Sequence, residues 1–201
     1  MFEYLCISGF KLTEEHFKWL KKESKLSQKN NLKYNENLIG HIKEEYEIKN
    51  WPESFESFIV RCTQHNAFKS YLETFDVLSE NRPIYLSNMW VNYQKKYEFN
   101  PVHNHSGLFS FIIFIKIPYD LKKEDEYFNI KQSLSISSCV SRLTFLNSKP
   151  DGSILNTNVD VDKSFEGKMF MFPSKQMHMV YPFYTSNEYR ITASGNIRLK
   201  V

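Results

Sequence analysis

Three histidines and one arginine in the second half of this 201-residue chain have the types and spacing of a metal-centred site. His103 and His105 flank Asn104 in Asn100-Pro101-Val102-His103-Asn104-His105-Ser106-Gly107. In extended backbone, residues two apart point the same way, so both imidazoles can face one pocket and bind one ion. His178 lies far downstream, in Gln176-Met177-His178-Met179-Val180-Tyr181-Pro182. Beyond it, Arg190, Thr192 and Ser194 share one face of an expected strand. Two ligands from one strand end and a third from a distant strand make a facial set. That set leaves three positions of an octahedral iron open for a chelating cosubstrate and O2. An arginine on a neighbouring strand can grip the far carboxylate of a dicarboxylate by paired charge-assisted hydrogen bonds, and a hydroxyl two residues on adds a donor.

Each of these residues also has a plainer reading. His103 and His105 can be two exposed loop histidines beside a turn. Arg190 can form a surface ion pair with Glu188, and Thr192 can be an ordinary β-branched strand residue. Arginine is scarce, however: only Arg61, Arg82, Arg142, Arg190 and Arg198 stand among 26 basic residues. In so lysine-rich a chain, an arginine beside apolar residues suggests a use for its rigid two-pronged donor geometry. Asp160 and Asp162 put two carboxylates on one side of a strand, which suits an exposed polar face better than a cation site. His16, His41 and His65 have no matching partners and are given no role.

The elements that must position the site follow from the hydrophobic pattern. Residues 1–83 read as a helical layer. Thr13-Glu14-Glu15-His16 opens a helix with acidic residues where its dipole favours them, and residues 24–37 read as a polar loop. Residues 53–78 carry apolar side chains at three- and four-residue steps, ending before Pro83. From residue 84 the pattern changes to short strands, expected at 84–93, 108–117, 134–146, 168–172, 178–183 and 189–199. Asn100-Pro101, Lys149-Pro150-Asp151-Gly152 and Glu166-Gly167 read as turns, and 119–131 and 147–158 as loops. Strands without intervening long helices imply an antiparallel sandwich or barrel, with the N-terminal helices packed on it as part of one domain.

Composition excludes several other classes. Aromatics make up 16% of the chain, including 17 Phe and 12 Tyr, which suits pleated surfaces. With 6 Gly and 7 Pro the chain is not collagen-like or of low complexity. A net charge of +3 is too small to argue for nucleic acid. Three cysteines, none in a Cys-x-x-Cys pair, favour a reducing compartment over a disulfide framework. No signal peptide or membrane-length apolar run is apparent, so a soluble cytoplasmic protein without a membrane partner is expected.

Taken together, several segments resemble the iron(II)- and 2-oxoglutarate-dependent oxygenases, in particular the prolyl-hydroxylase-like proteins of phages and marine bacteria. They are Trp90-Val91-Asn92-Tyr93, Asn100 to Gly107, Glu166 to Ser174, His178 to Pro182 and Arg190-Ile191-Thr192. The resemblance spans residues 84 to 199. It implies a mainly β fold, a double-stranded β-helix of jelly-roll or cupin-like form, with Fe(II) at its mouth and 2-oxoglutarate as cosubstrate. By the same carry-over His103 and His178 are iron ligands, and Arg190, with Thr192, binds the distal carboxylate. Tyr93 resembles the tyrosine that supports the cosubstrate, with Asn92 as the competing candidate. His105 stands where the family usually has Asp or Glu, giving three neutral imidazoles. The implied reaction consumes 2-oxoglutarate and O2 and oxidises a C–H bond of an unidentified prime substrate, a protein or peptide side chain or a small molecule. Two other readings are a cupin-like metal-binding module without turnover and a three-histidine dioxygenase that does not use 2-oxoglutarate. The second would have no use for Arg190. The sequence assigns no oligomeric state.

Overall fold

The computed structural model describes residues 6–74, 83–127 and 139–200. Ten strands form two antiparallel sheets. The larger sheet contains β1 (Ser8–Lys11), β2 (Glu45–Glu47), β3 (Ile84–Gln94), β5 (Phe109–Lys116), β8 (Lys168–Pro173) and β10 (Arg190–Leu199), in the order β1-β8-β5-β10-β3-β2. The smaller contains β4 (Asn100–His103), β6 (Leu143–Ser148), β7 (Ile154–Val159) and β9 (Met177–Val180), in the order β4-β9-β6-β7. From β3 to β10 the chain passes back and forth between the sheets, with only the β6–β7 hairpin staying in one, which is the jelly-roll arrangement of a double-stranded β-helix.

Period-2 alternation gives the large sheet two distinct faces. Met89, Val91, Ile113 and Ala193 belong to a core that also contains Leu20, Phe55, Ile59 and Phe68 of the N-terminal segment. A second core lies between the sheets. It joins Phe114 and Phe172 of the large sheet to Leu143, Phe145 and Val180 of the small one. Gly195 is required where β10 crosses β5 and β3. A Cβ there would stand 2.5 Å from the Phe111 ring and 2.7 Å from the Asn88 carbonyl oxygen.

The N-terminal layer contains α1 (Glu14–Lys29), α2 (Glu53–Cys62) and α3 (Lys69–Glu73). Thr13 caps α1 by accepting a hydrogen bond from the His16 N–H. The layer is not purely helical, because β1 and β2 extend the two edges of the large sheet. Helix α1 runs to Lys29, through the expected loop at 24–29. Its Lys, Glu and Gln residues favour helix, and Ser24 and Ser27 are small enough to be buried. The expected helix over 53–78 breaks after Cys62. The Thr63 hydroxyl turns back to the Val60 carbonyl, and the His65 ring accepts from the Ala67 N–H. Residues 75–82, the end of that helix, lie outside the described residues.

Among the strands, Asn100-Pro101 opens β4 and is not a turn. Proline is tolerated because β4 is an edge strand. The loop expected at 147–158 is largely β7, paired with β6 across a turn at Lys149 to Gly152. The loop at 119–131 contains α4 (Leu121–Tyr127). The strand expected at 134–146 is described only from 139 and begins at Leu143. No helix among the described residues is long and apolar enough to cross a membrane.

Candidate active site

The small sheet supplies the histidines. His103 ends β4 and lies directly opposite His178 of β9 in the register. Their ring centroids are 4.3 Å apart. His105 follows two residues after His103. Its backbone N–H donates to the Ser174 carbonyl at 2.8 Å, which ties the β4 exit to the end of β8. Gly107 then takes a positive φ of 117°, where a Cβ would meet the Ile197 carbonyl oxygen at 2.8 Å. The chain can therefore turn immediately after His105 only with glycine there.

The three imidazoles present nitrogens that all lie within 4.8 Å of one another. Two tautomers follow from hydrogen bonding. His103 Nδ1–H donates to the Pro101 carbonyl at 2.7 Å, and His178 Nδ1–H donates to the Gln176 carbonyl at 2.9 Å. Each bond leaves an Nε2 lone pair for the shared space and fixes its ring, as partners of metal-binding histidines commonly do. His105 Nε2 and His178 Nε2 are 3.3 Å apart. Metal–nitrogen bonds of about 2.1 Å would set neighbouring ligands about 3 Å apart, close to this spacing.

Burial keeps these rings neutral. It lowers the His103 pKa, carries His105 down to about 3 with help from His103, and takes His178 well below the ordinary histidine value. Neutral imidazole is the metal-binding form, so the donor set fits a divalent ion of the iron class.

The large sheet supplies the opposite wall. A cross-strand row runs Glu45 (β2), Asn92 (β3), Thr192 (β10) and Phe114 (β5). All four residues line a cavity of about 360 Å³ together with the three histidines and Arg190. Arg190 is 3% exposed. Its Nε and Nη2 donate to Gln94 Oε1 at 2.9 and 2.6 Å. Its Nη1 donates to the Tyr119 hydroxyl and the Ser141 carbonyl, and Nη2 also donates to the Tyr181 carbonyl. Every one of these acceptors is neutral, and among the described residues no carboxylate forms an ion pair with Arg190. A buried cation without a counterion is costly, and an anionic ligand would offset that cost. The surface pair considered for Arg190 is not formed, since Glu188 pairs with Lys116 at 2.8 Å.

Asn92 is 5% exposed. Its Nδ2 donates to Thr192 Oγ1 at 3.3 Å, while its buried Oδ1 has no partner. Tyr93 is on the other face. Its ring packs edge-on against Tyr46 and Tyr189, on the side of Ser24 in α1. The structure thus brings together His103, His105, His178, Arg190, Thr192 and Asn92, and leaves Tyr93 out. One-residue alternation in β3 puts Asn92 in the cavity wall and Tyr93 on the opposite face. Asp160 is bonded to Arg142, and Asp162 caps the turn at Ser164.

Among the cavity residues that the sequence reading did not single out, three bear on the site. Gln94 continues the alternation Trp90, Asn92, Gln94 and could have been found from it. Asn100 sits in a segment read as a turn. Glu45 belongs to a three-residue strand in a polar stretch that carries no pattern.

The family described as "Putative 2OG-Fe(II) oxygenase" matches residues 88–196, just over half of the chain. The chain belongs to this family. Oxygenases of the family are oxidoreductases that use Fe(II) and 2-oxoglutarate, with O2 as the oxidant. The matched segment runs from β3 to β10 and contains all three histidines and Arg190. A search of curated proteins found no relative of significant similarity. Among solved structures, a prolyl-4-hydroxylase from Pseudomonas putida is 14% identical, with a TM-score of 0.59 over 98% of this chain and 94% of that one. The similarity shows a shared fold. A 2OG-Fe(II) oxygenase family oxidoreductase from Burkholderia pseudomallei is 12% identical, with a TM-score of 0.41 over 80% of this chain and 63% of that one.

Proposed function

We propose that this oxygenase holds Fe(II) through His103, His105 and His178 and receives the distal carboxylate of 2-oxoglutarate at Arg190. The observation that carries the reading is one cavity with three neutral imidazoles on one wall and a buried arginine without a counterion on the other. Once bound, the iron and the keto acid supply O2 activation, with release of succinate and CO2 and oxidation of a C–H bond.

The chain's own residues bind, orient and exclude water. Pro101 and Gln176 carbonyls hold the His103 and His178 rings by their Nδ1 protons. Thr192 and Asn92 lie in the row next to Arg190, where the Thr192 hydroxyl and Asn92 amide add polar contacts for the cosubstrate. Ile112, Phe114, Leu143, Val161, Phe172 and Val180 wall the cavity with apolar side chains suited to a methylene chain. Tyr93 has no part in this assignment. The favoured prime substrates are protein or peptide side chains. A reducing cytoplasmic compartment suits the three free thiols Cys6, Cys62 and Cys139.

The test is succinate release from labelled 2-oxoglutarate under air with Fe(II). Wild-type protein should turn over, and His178→Ala should not. Arg190→Lys should need a higher 2-oxoglutarate concentration. Oxidation that proceeds without 2-oxoglutarate would overturn the reading.

A further inference from the structure

One end of the cavity is built for a group that the proposed metal and cosubstrate do not use. Glu45 is 2% exposed and lines the cavity, yet among the described residues it makes no ion pair. One of its oxygens accepts a hydrogen bond from Asn35 Nδ2 at 3.1 Å. The other, Oε1, lies 3.3 Å from the position a Cβ on Gly40 would take. Asn100 Oδ1 is 2.2 Å from the same point and is itself buried without a partner. Two acceptor oxygens thus converge beside Gly40. Burial raises the Glu45 pKa to about 7, with Glu98 adding to the rise. The Asn35 hydrogen bond and the Lys33 charge act the other way.

The exposed lip of the same cavity is apolar. Ile39, Val102 and Met177 line the cavity while 60%, 44% and 37% exposed. They are three of the six large hydrophobic residues that are exposed among the described residues. An apolar lip on a cavity that holds a carboxylate and a bare carbonyl oxygen matches an aliphatic stem that ends in a nitrogen cation.

We propose that the prime substrate carries an alkylammonium or alkylguanidinium group, received by Glu45 and Asn100 inside the apolar lip of Ile39, Val102 and Met177. The proposal rests on the oxygenase reading for the word substrate, and on the acceptors alone for the binding. The source is a free amino acid or a residue within a peptide, and both present the same chemistry at this end.

The test uses the full chain loaded with Mn(II) and 2-oxoglutarate, titrated with N-acetyl-lysine amide, N-acetyl-arginine amide and N-acetyl-norleucine amide. At least one cationic compound should bind about tenfold or more tightly than the neutral one. Glu45→Gln, which keeps the size and the Asn35 contact, should reduce that preference to less than threefold. Free lysine and arginine form a parallel arm, and tighter binding of the blocked amides identifies a peptide source. Equal affinity for cationic and neutral compounds, or a preference that survives Glu45→Gln, overturns the proposal. The 2-oxoglutarate titration of the Mn(II)-loaded wild type is read separately. Failure there overturns the oxygenase reading and leaves the cation preference to be judged on its own data.

Discussion

Gln94 occupies the fork of Arg190 that a cosubstrate carboxylate would use. Its Oε1 accepts from both Nε at 2.9 Å and Nη2 at 2.6 Å, so one neutral oxygen spans the two donors that a carboxylate would engage with separate oxygens. Gln94→Glu converts that acceptor into an internal carboxylate at nearly constant volume. The Gln94 bonds have one ionised partner, and ionising the second adds the attraction of a close buried charge pair, about 1.5–3 kcal/mol, to the occupied fork. A diffusing carboxylate must then displace a charged rival, and 2-oxoglutarate binding should weaken about ten- to a hundredfold. The substitution also replaces the Gln94 Nε2 donor that bonds the Glu98 carbonyl at 2.5 Å, so fold stability is not the readout. The assay is isothermal titration of 2-oxoglutarate into Mn(II)-loaded protein. Gln94→Leu, which leaves the fork open, serves as the control and should bind at least as tightly as wild type. Affinity of Gln94→Glu within threefold of wild type would refute the idea that Arg190 receives the distal carboxylate through this edge.

Three further outcomes are expected. Mn(II) at a hundred times its Kd should stabilise the wild type by about 2.7 kcal/mol, seen as a rise in Tm, and His103→Ala or His178→Ala should abolish the rise. The metal-free protein should lose stability as pH falls below about 6.5. His105, with its folded pKa at about 3, stays neutral while its unfolded counterpart takes up a proton, so the unfolded state binds more protons and acid favours it. That one ring contributes about 2 kcal/mol of loss between pH 7 and pH 5, measurable by urea denaturation at the two pH values. Asn92→Ala should raise the KM for 2-oxoglutarate severalfold while Tyr93→Phe leaves it within twofold, a contrast that steady-state succinate assays resolve.

The parts of the site legible in the sequence were those tied to a short-range rule. His103 and His105 point into one cavity because they are two apart in extended chain, and Arg190 and Thr192 share a face for the same reason. The same rule, applied from Trp90, separates Asn92 from Tyr93, but the starting phase of the strand is not visible until one face is known to be buried against helices. Most of the central strands were evident from β-branched and aromatic runs. The edge strands were not: β1, β2, β4 and β7 are short or polar, and pairing rather than composition makes them strands. Glu45 entered the site only through the pairing of β2 with β3, a contact between segments far apart in sequence. Helix α1 was cut short in the reading because polar helix formers over 24–29 look like a loop when only apolar periodicity is followed.

In the proposed site, His105 stands where the resemblance expects a carboxylate ligand, and that shifts where the charge of the site is balanced. An all-imidazole set is neutral when buried, so the three ligand side chains themselves add no unpaired anion to the metal-free cavity. With a divalent ion bound, no ligand charge offsets its two positive charges, and Arg190 adds a third within the same cavity. A dianionic cosubstrate therefore does more for this metal than it would beside a carboxylate ligand, and the two should bind cooperatively. Coupling free energies of this kind run about 1–3 kcal/mol, or about five- to a hundred-and-fiftyfold in affinity. By linkage, 2-oxoglutarate must tighten Mn(II) by the same factor by which Mn(II) tightens 2-oxoglutarate, so two titrations check one number. His105→Asp supplies one negative charge at the ion. It should bind Mn(II) more tightly than wild type in the absence of cosubstrate and show a smaller coupling factor in its presence. A coupling factor in His105→Asp as large as in wild type would mean that the cosubstrate is held by contacts indifferent to the charge on the metal.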